Sequence, residues 1–144
     1  MKDEVKNMKK VAVVYWSGTG NTETMANAVK QGAGIGAELF TASEFGPDEV
    51  SKYDAIAFGC PAMGSEQLED GEFEPMFESV KVSLSEKSVA LFGSYGWGDG
   101  DWMRNWEDEC AAAGIVLVCD SVICNEVPDE EAIAACKALG AALA

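Results

Sequence analysis

The sequence predicts an α/β protein built on a doubly wound parallel sheet. Strand and helix signals alternate along the whole length. The first and third strand candidates are continuous apolar runs, as parallel strands covered on both faces should be. The first of them feeds a tight polar loop that opens a helix, which is the start of a β/α repeat.

Taken in order, residues 10–15 carry the unbroken run Val11-Ala12-Val13-Val14 and form the first strand. A helix is expected over residues 21–31, with Met25, Ala28, Val29 and Ala33 at helical spacing. Gly32, Gly34 and Gly36 are expected to end it. A short second strand spans 37–41, and residues 45–50 read as a turn with one helical turn. Ala55-Ile56-Ala57-Phe58-Gly59 is the third strand. Phe73, Met76, Phe77 and Val80 lie at i, i+3, i+4, i+7, with Pro75 suited to a first turn, so a helix packs there. Residues 88–92 make the fourth strand. Met103, Trp106, Cys110 and Ala113 define the inner face of the next helix, with Asp101 expected to cap its start and Gly114 its end. Residues 115–119 and 122–124 share the fifth strand, broken near Asp120. Pro128-Asp129 begins the last helix, whose first turn holds Glu130 and Glu131, with Lys137 further on, an order that complements the helix dipole.

The 144 residues are expected to form a single domain, 1–144, able to bury a core without staples, with residues 1–9 a frayed lead-in. No apolar run approaches the ~20 residues of a membrane-crossing helix, and the mixed-charge start does not read as a signal peptide. The net charge of −15 argues against nucleic acid and anionic membranes, and favours basic protein partners. There is no histidine, which excludes His-based catalytic triads and His-ligated metals. Five cysteines without a C-x-x-C pair read as reduced thiols in a cytoplasmic protein.

In a doubly wound sheet ligands sit beyond the carboxyl ends of the strands, so the loops after strands one, three and four are the candidates. The first is Ser17, Gly18, Thr19, Gly20, Asn21 and Thr22. Its backbone N–H groups, four side-chain donors and the helix dipole make an anion site without any cation, suited to a phosphate monoester. A Walker A motif would need a lysine, and a dinucleotide fingerprint would need glycine where Glu23 stands. The second loop is Cys60-Pro61-Ala62-Met63-Gly64-Ser65-Glu66. The third is Gly93-Ser94-Tyr95-Gly96-Trp97-Gly98-Asp99-Gly100. Trp97, set between glycines, and Met63 offer two surfaces for a flat ligand.

The motifs Y-W-S-G-T-G-N-T at 15–22, P-A-M-G-S-E at 61–66 and G-S-Y-G-W-G-D-G-D-W at 93–102 closely resemble the short-chain flavodoxins of anaerobic bacteria. That family, itself a standing example of the rule, implies a flavodoxin-like five-stranded sheet in the order 2-1-3-4-5, with helices on both faces and FMN at the switch point. The resemblance further implies that residues Ser17 to Thr22 wrap the FMN phosphate and that Pro61 and Ala62 line the ribityl side with Ser94 near. Met63 would pack on the inner flavin face and Trp97 on the outer, with Ser65, Tyr95, Gly96 and Gly98 in the same loops. Glu66 would accept from flavin N3. Gly64 would let a peptide turn toward N5, since only glycine moves cheaply between the required backbone regions. Some relatives carry Ser where this chain has Pro61, which removes one phosphate donor.

The implied function is a low-potential one-electron carrier shuttling FMN between neutral semiquinone and hydroquinone, with no catalytic residues of its own. Six acids from Glu66 to Glu78, without a Lys or Arg among them, would oppose the anionic hydroquinone. The expected partners are redox proteins with basic docking surfaces, met by a monomer. The alternatives are an FMN-dependent NAD(P)H or quinone reductase on the same fold, and a cofactor-free α/β module.

Overall fold

The computed structural model describes residues 9–63, 67–96 and 98–144. The expectations for Gly64, Ser65, Glu66, Trp97 and the first eight residues of the lead-in lie outside the described residues. Strand β1 is Val11–Tyr15, helix α1 Asn21–Ala33, β2 Ala37–Thr41, α2 Pro47–Val50 and β3 Ala55–Gly59. Helix α3 is Phe73–Lys81, β4 Ser88–Tyr95, α4 Asp101–Ala112, β5 Val122–Asn125 and α5 Glu130–Leu143. All pairings are parallel and the strand order is β2-β1-β3-β4-β5, the order the resemblance implied.

The apolar runs of β1, β3 and β4 are continuous because these three strands are buried on both faces. Alternate residues supply two cores. Ala12, Val14, Ile56, Phe58, Val89 and Leu91 face α3 and α4, while Val11, Val13, Ala55, Ala57, Ala90 and Phe92 face α1 and α5. The first core is aromatic: Phe58 meets Phe77 edge-on at 5.2 Å, and Phe73 meets Trp106 edge-on at 5.4 Å. Such edge-to-face pairs add about 0.5–1.5 kcal/mol beyond burial. The second core uses small residues, which lets α1 and α5 cross closely.

Five expectations are corrected. Helix α1 does not end at residue 31; Gly32 lies inside it, and Gly34 terminates it at φ 89°. Strand β4 runs three residues beyond 92, so Gly93, Ser94 and Tyr95 belong to the strand and not to the loop after it. Gly93 fits there because a Cβ would stand 2.2 Å from the Cys60 carbonyl oxygen. Asp101 does not cap α4; Gly100 occupies that position, and Asp101 instead pairs with Arg104. Ala113 is exposed, and the inner face of α4 includes Trp102, whose indole N–H donates to the Cys60 carbonyl at 3.1 Å. Residues 115–119 are not strand: only Leu117 bridges to Val89, while Val116 and Val118 are exposed.

Candidate functional site

The polar loop after β1 is built around its own hydroxyls. Ser17 Oγ accepts the N–H of Gly20 at 3.1 Å and of Glu23 at 3.2 Å, satisfying one of the free amides in the first turn of α1. With both lone pairs taken, its own proton is left to donate outward. Gly20 enters α1 at φ 97°, a left-handed conformation that glycine adopts without penalty. Thr22, nearly fully buried, exchanges a hydrogen bond with Ser94 of β4 at 3.0 Å, which ties the start of α1 to the end of β4.

The second loop is fixed at its root. Met63 and Gln67 exchange both backbone hydrogen bonds, at 2.8 and 2.9 Å, as an isolated antiparallel bridge. Ala62 N–H donates to the Ser94 carbonyl at 3.0 Å. Below, Cys60 Sγ accepts the N–H of Glu69 at 3.3 Å. Burial pushes that thiol up to about 12, so it is a packing group and no nucleophile. The Cys110 and Cys136 thiols are raised to about 12 by burial as well.

These loops enclose a cavity of about 500 Å³. Gly18, Thr19 and Asn21 form one wall, Pro61, Ala62 and Met63 a second, and Ser94, Tyr95 and Gly96 a third. A second cavity of about 460 Å³ lies on the other side of the loop after β1, where Ser17 and Gly20 join Gly18 and Thr19. Among the predicted residues that are described, Thr22 and Gly98 border neither. Among the described residues, no Lys or Arg borders either cavity.

Three residues absent from the sequence-based set also line the larger cavity: Trp16, Glu126 and Val127. Trp16 borders both cavities, as Gly18 and Thr19 do. Its indole N–H donates to Glu72 at 3.4 Å, and a Cβ on Gly18 would meet its ring at 3.2 Å. Glu126 holds φ 59°, a conformation that costs a non-glycine residue about 1 kcal/mol. It is clamped there by its N–H to the Tyr95 carbonyl at 2.7 Å, alongside Asn125 Nδ2 to the same oxygen at 3.3 Å. An aromatic beside the polar loop and an exposed valine after the last strand were the available signals.

The acid run is only partly a solvated face. Glu69 accepts the N–H groups of Gly71, Glu72 and Phe73 at 2.7, 2.7 and 2.8 Å, capping α3. Partial burial works against its ionisation, but those three donors hold its carboxyl below the usual range. Glu78 pairs with Lys81 at 2.9 Å, and Lys81 reaches Glu109 at 3.1 Å.

Residues 13–140 match the family model described as Flavodoxin. The chain belongs to the flavodoxin family. The flavodoxin of Megasphaera elsdenii is 44% identical over 137 residues, 93% of this chain and 98% of the relative. That of Clostridium beijerinckii is 46% identical over 121 residues, 82% of this chain and 88% of the relative. The solution structure of two-electron reduced Megasphaera elsdenii flavodoxin superposes with a TM-score of 0.84 at 45% identity, covering 92% of this chain and 97% of that one. This flavodoxin-family chain thus shares the fold across almost its full length with its relatives, and its two cavities stand at the end of the sheet where the β-to-α loops emerge.

Proposed function

We propose that the chain binds FMN in the 500 Å³ cavity and carries single electrons between redox proteins. The observation that carries this reading is the composition of that cavity. One wall is a cation-free, donor-rich turn at a helix start, and the opposite walls offer the apolar surfaces of Pro61, Ala62, Met63 and Tyr95. A group with a phosphate tail and a flat ring fits this division, and the volume lies within the usual range for ligand sites. FMN, when bound, would supply the redox chemistry, accepting and releasing electrons.

The residues of the chain have binding and tuning roles. Thr19 and Asn21 would donate to the phosphate from the larger cavity and Ser17 from the adjoining smaller one, with the loop folded around the phosphate and Gly18 and Gly20 letting the backbone approach it. Met63 and Trp97 would flank the ring, Glu66 would hold its edge, and Gly64 would supply the adaptable peptide. Glu126 at the wall of the larger cavity, with Glu23 and Glu72 at the wall of the smaller, would disfavour added negative charge on the ring, lowering the potential of full reduction.

Titration of the purified protein with FMN tests the reading. Flavin fluorescence should be quenched at one equivalent, and reduction of the complex should proceed in two resolved one-electron steps. Absence of binding would overturn it. Steady consumption of NADPH without an added reductase would instead favour the reductase. The Ser17→Ala variant removes the acceptor of two backbone amides and a donor to phosphate. We expect FMN affinity to fall about tenfold, since one such loss is worth about 1–1.5 kcal/mol. An unchanged dissociation constant would exclude Ser17 from the phosphate site.

A further inference from the structure

Strand β5 is the outermost strand on its side of the sheet. One row of its backbone N–H and C=O groups therefore faces away from β4. A groove of about 320 Å³ borders Val122, Ile123, Cys124 and Asn125, together with Val127 and Glu131. Successive strand side chains alternate between faces, so a groove touching four consecutive residues follows the edge of the strand. Ile123 and Val127 are exposed there, at 38% and 75%. The charges along the groove are acidic, from Asp129 and Glu131, and no cation lines it among the described residues.

We propose that the β5 edge is a docking strand for a basic partner segment. An extended stretch of alternating basic and apolar residues would add a sixth strand. Its backbone would pair with β5, its apolar side chains would cover Ile123 and Val127, and its cations would face Asp129 and Glu131. Two observations select this occupant. Charge complementarity favours a basic segment, whereas a second copy would bring together two chains of net charge −15. The groove is also continuous with the candidate cofactor site, because Val127 borders both. A segment seated on β5 therefore ends beside the cavity where electrons would be exchanged. That last step rests on the proposed function; the edge pairing does not.

The probe is an end-capped nine-residue peptide alternating Lys and Val, with a Glu/Val peptide of the same length as control. NMR titration of the protein, with and without FMN, should give saturable binding of the Lys/Val peptide only. The backbone amides among residues 122–125 that exchange fast in the free protein should become protected, which nonspecific charge attraction would not achieve. Glu131→Lys should weaken binding about tenfold while leaving FMN affinity unchanged, and Ile123→Glu should change the apolar contact independently. The proposal fails if Glu131→Lys binds the peptide equally well, or if no amide in 122–125 gains protection. Self-association of the free protein through this edge, seen by sedimentation, would assign the groove to a second copy instead. Loss of FMN binding with peptide binding intact would sink the cofactor reading alone.

Discussion

Gly32→Ala is expected to destabilise the protein by about 2–3 kcal/mol, although alanine is the better helix former by about 1 kcal/mol. The reason is the crossing of α1 and α5. A Cβ on Gly32 would stand 1.9 Å from the carbonyl oxygen of Lys137, and one on Gly140 would stand 2.0 Å from that of Val29. Backbone atoms cannot rotate aside as a side-chain end can, so one helix must move as a body. That movement also disturbs the packing of Met25, Val29, Cys136 and Leu139 against the sheet. Steric cost therefore outweighs propensity. Gly140→Ala should behave alike, and the double variant should cost less than the sum, because the first displacement makes room for the second. Urea unfolding of the three variants measures this. A Gly32→Ala protein as stable as the parent would refute close helix contact at that point.

Glu69→Gln and Glu69→Ala address the cap on α3. The carboxylate accepts three backbone amides within 2.8 Å, in the segment that leads from the Met63–Gln67 bridge into the helix. Alanine leaves these donors to solvent at a cost of about 2–3 kcal/mol; glutamine, with one oxygen and no charge, should lose about half of that. The pH dependence has a definite sign. The folded-state carboxyl titrates below its unfolded value, so its contribution is fully present above about pH 4.3, the ordinary value for glutamate. It is lost as the pH falls through the lower folded value. The parent should therefore lose stability over that acid range more steeply than Glu69→Ala does. Parallel acid-stability curves for the two proteins would remove Glu69 from the role.

Much of the architecture was legible because it is written locally. The bounds of β3 follow from an apolar run between polar flanks, and the polar loop from 17 to 22 stands where a strand hands over to a helix. Other features were misread for equally local reasons. Gly32 looks like a helix stop, because glycine near a helix end commonly is one. Gly93, Ser94 and Tyr95 look like loop, since glycine and serine weaken a strand pattern; parallel pairing with β5 at Gly93↔Ile123, Ser94↔Cys124 and Tyr95↔Asn125 keeps them extended. Residues 115–119 look like a strong strand, yet they meet β4 only at Val89, through the Leu117 bridge and the Val118 N–H.

Chemistry and class came from composition and order along the chain: a charge of −15, no histidine, apolar runs separated by helices, and hydroxyl-rich turns after the strands. These depend on residues within one turn or one strand of each other, where periodicity and capping act. Trp16 as a residue lining both cavities, the Thr22–Ser94 tie, and the glycine crossing at 32 and 140 depend on segments far apart in the chain. Their meeting is set by the packing of helices onto two faces of a sheet, and steric fit between distant backbones leaves no local trace.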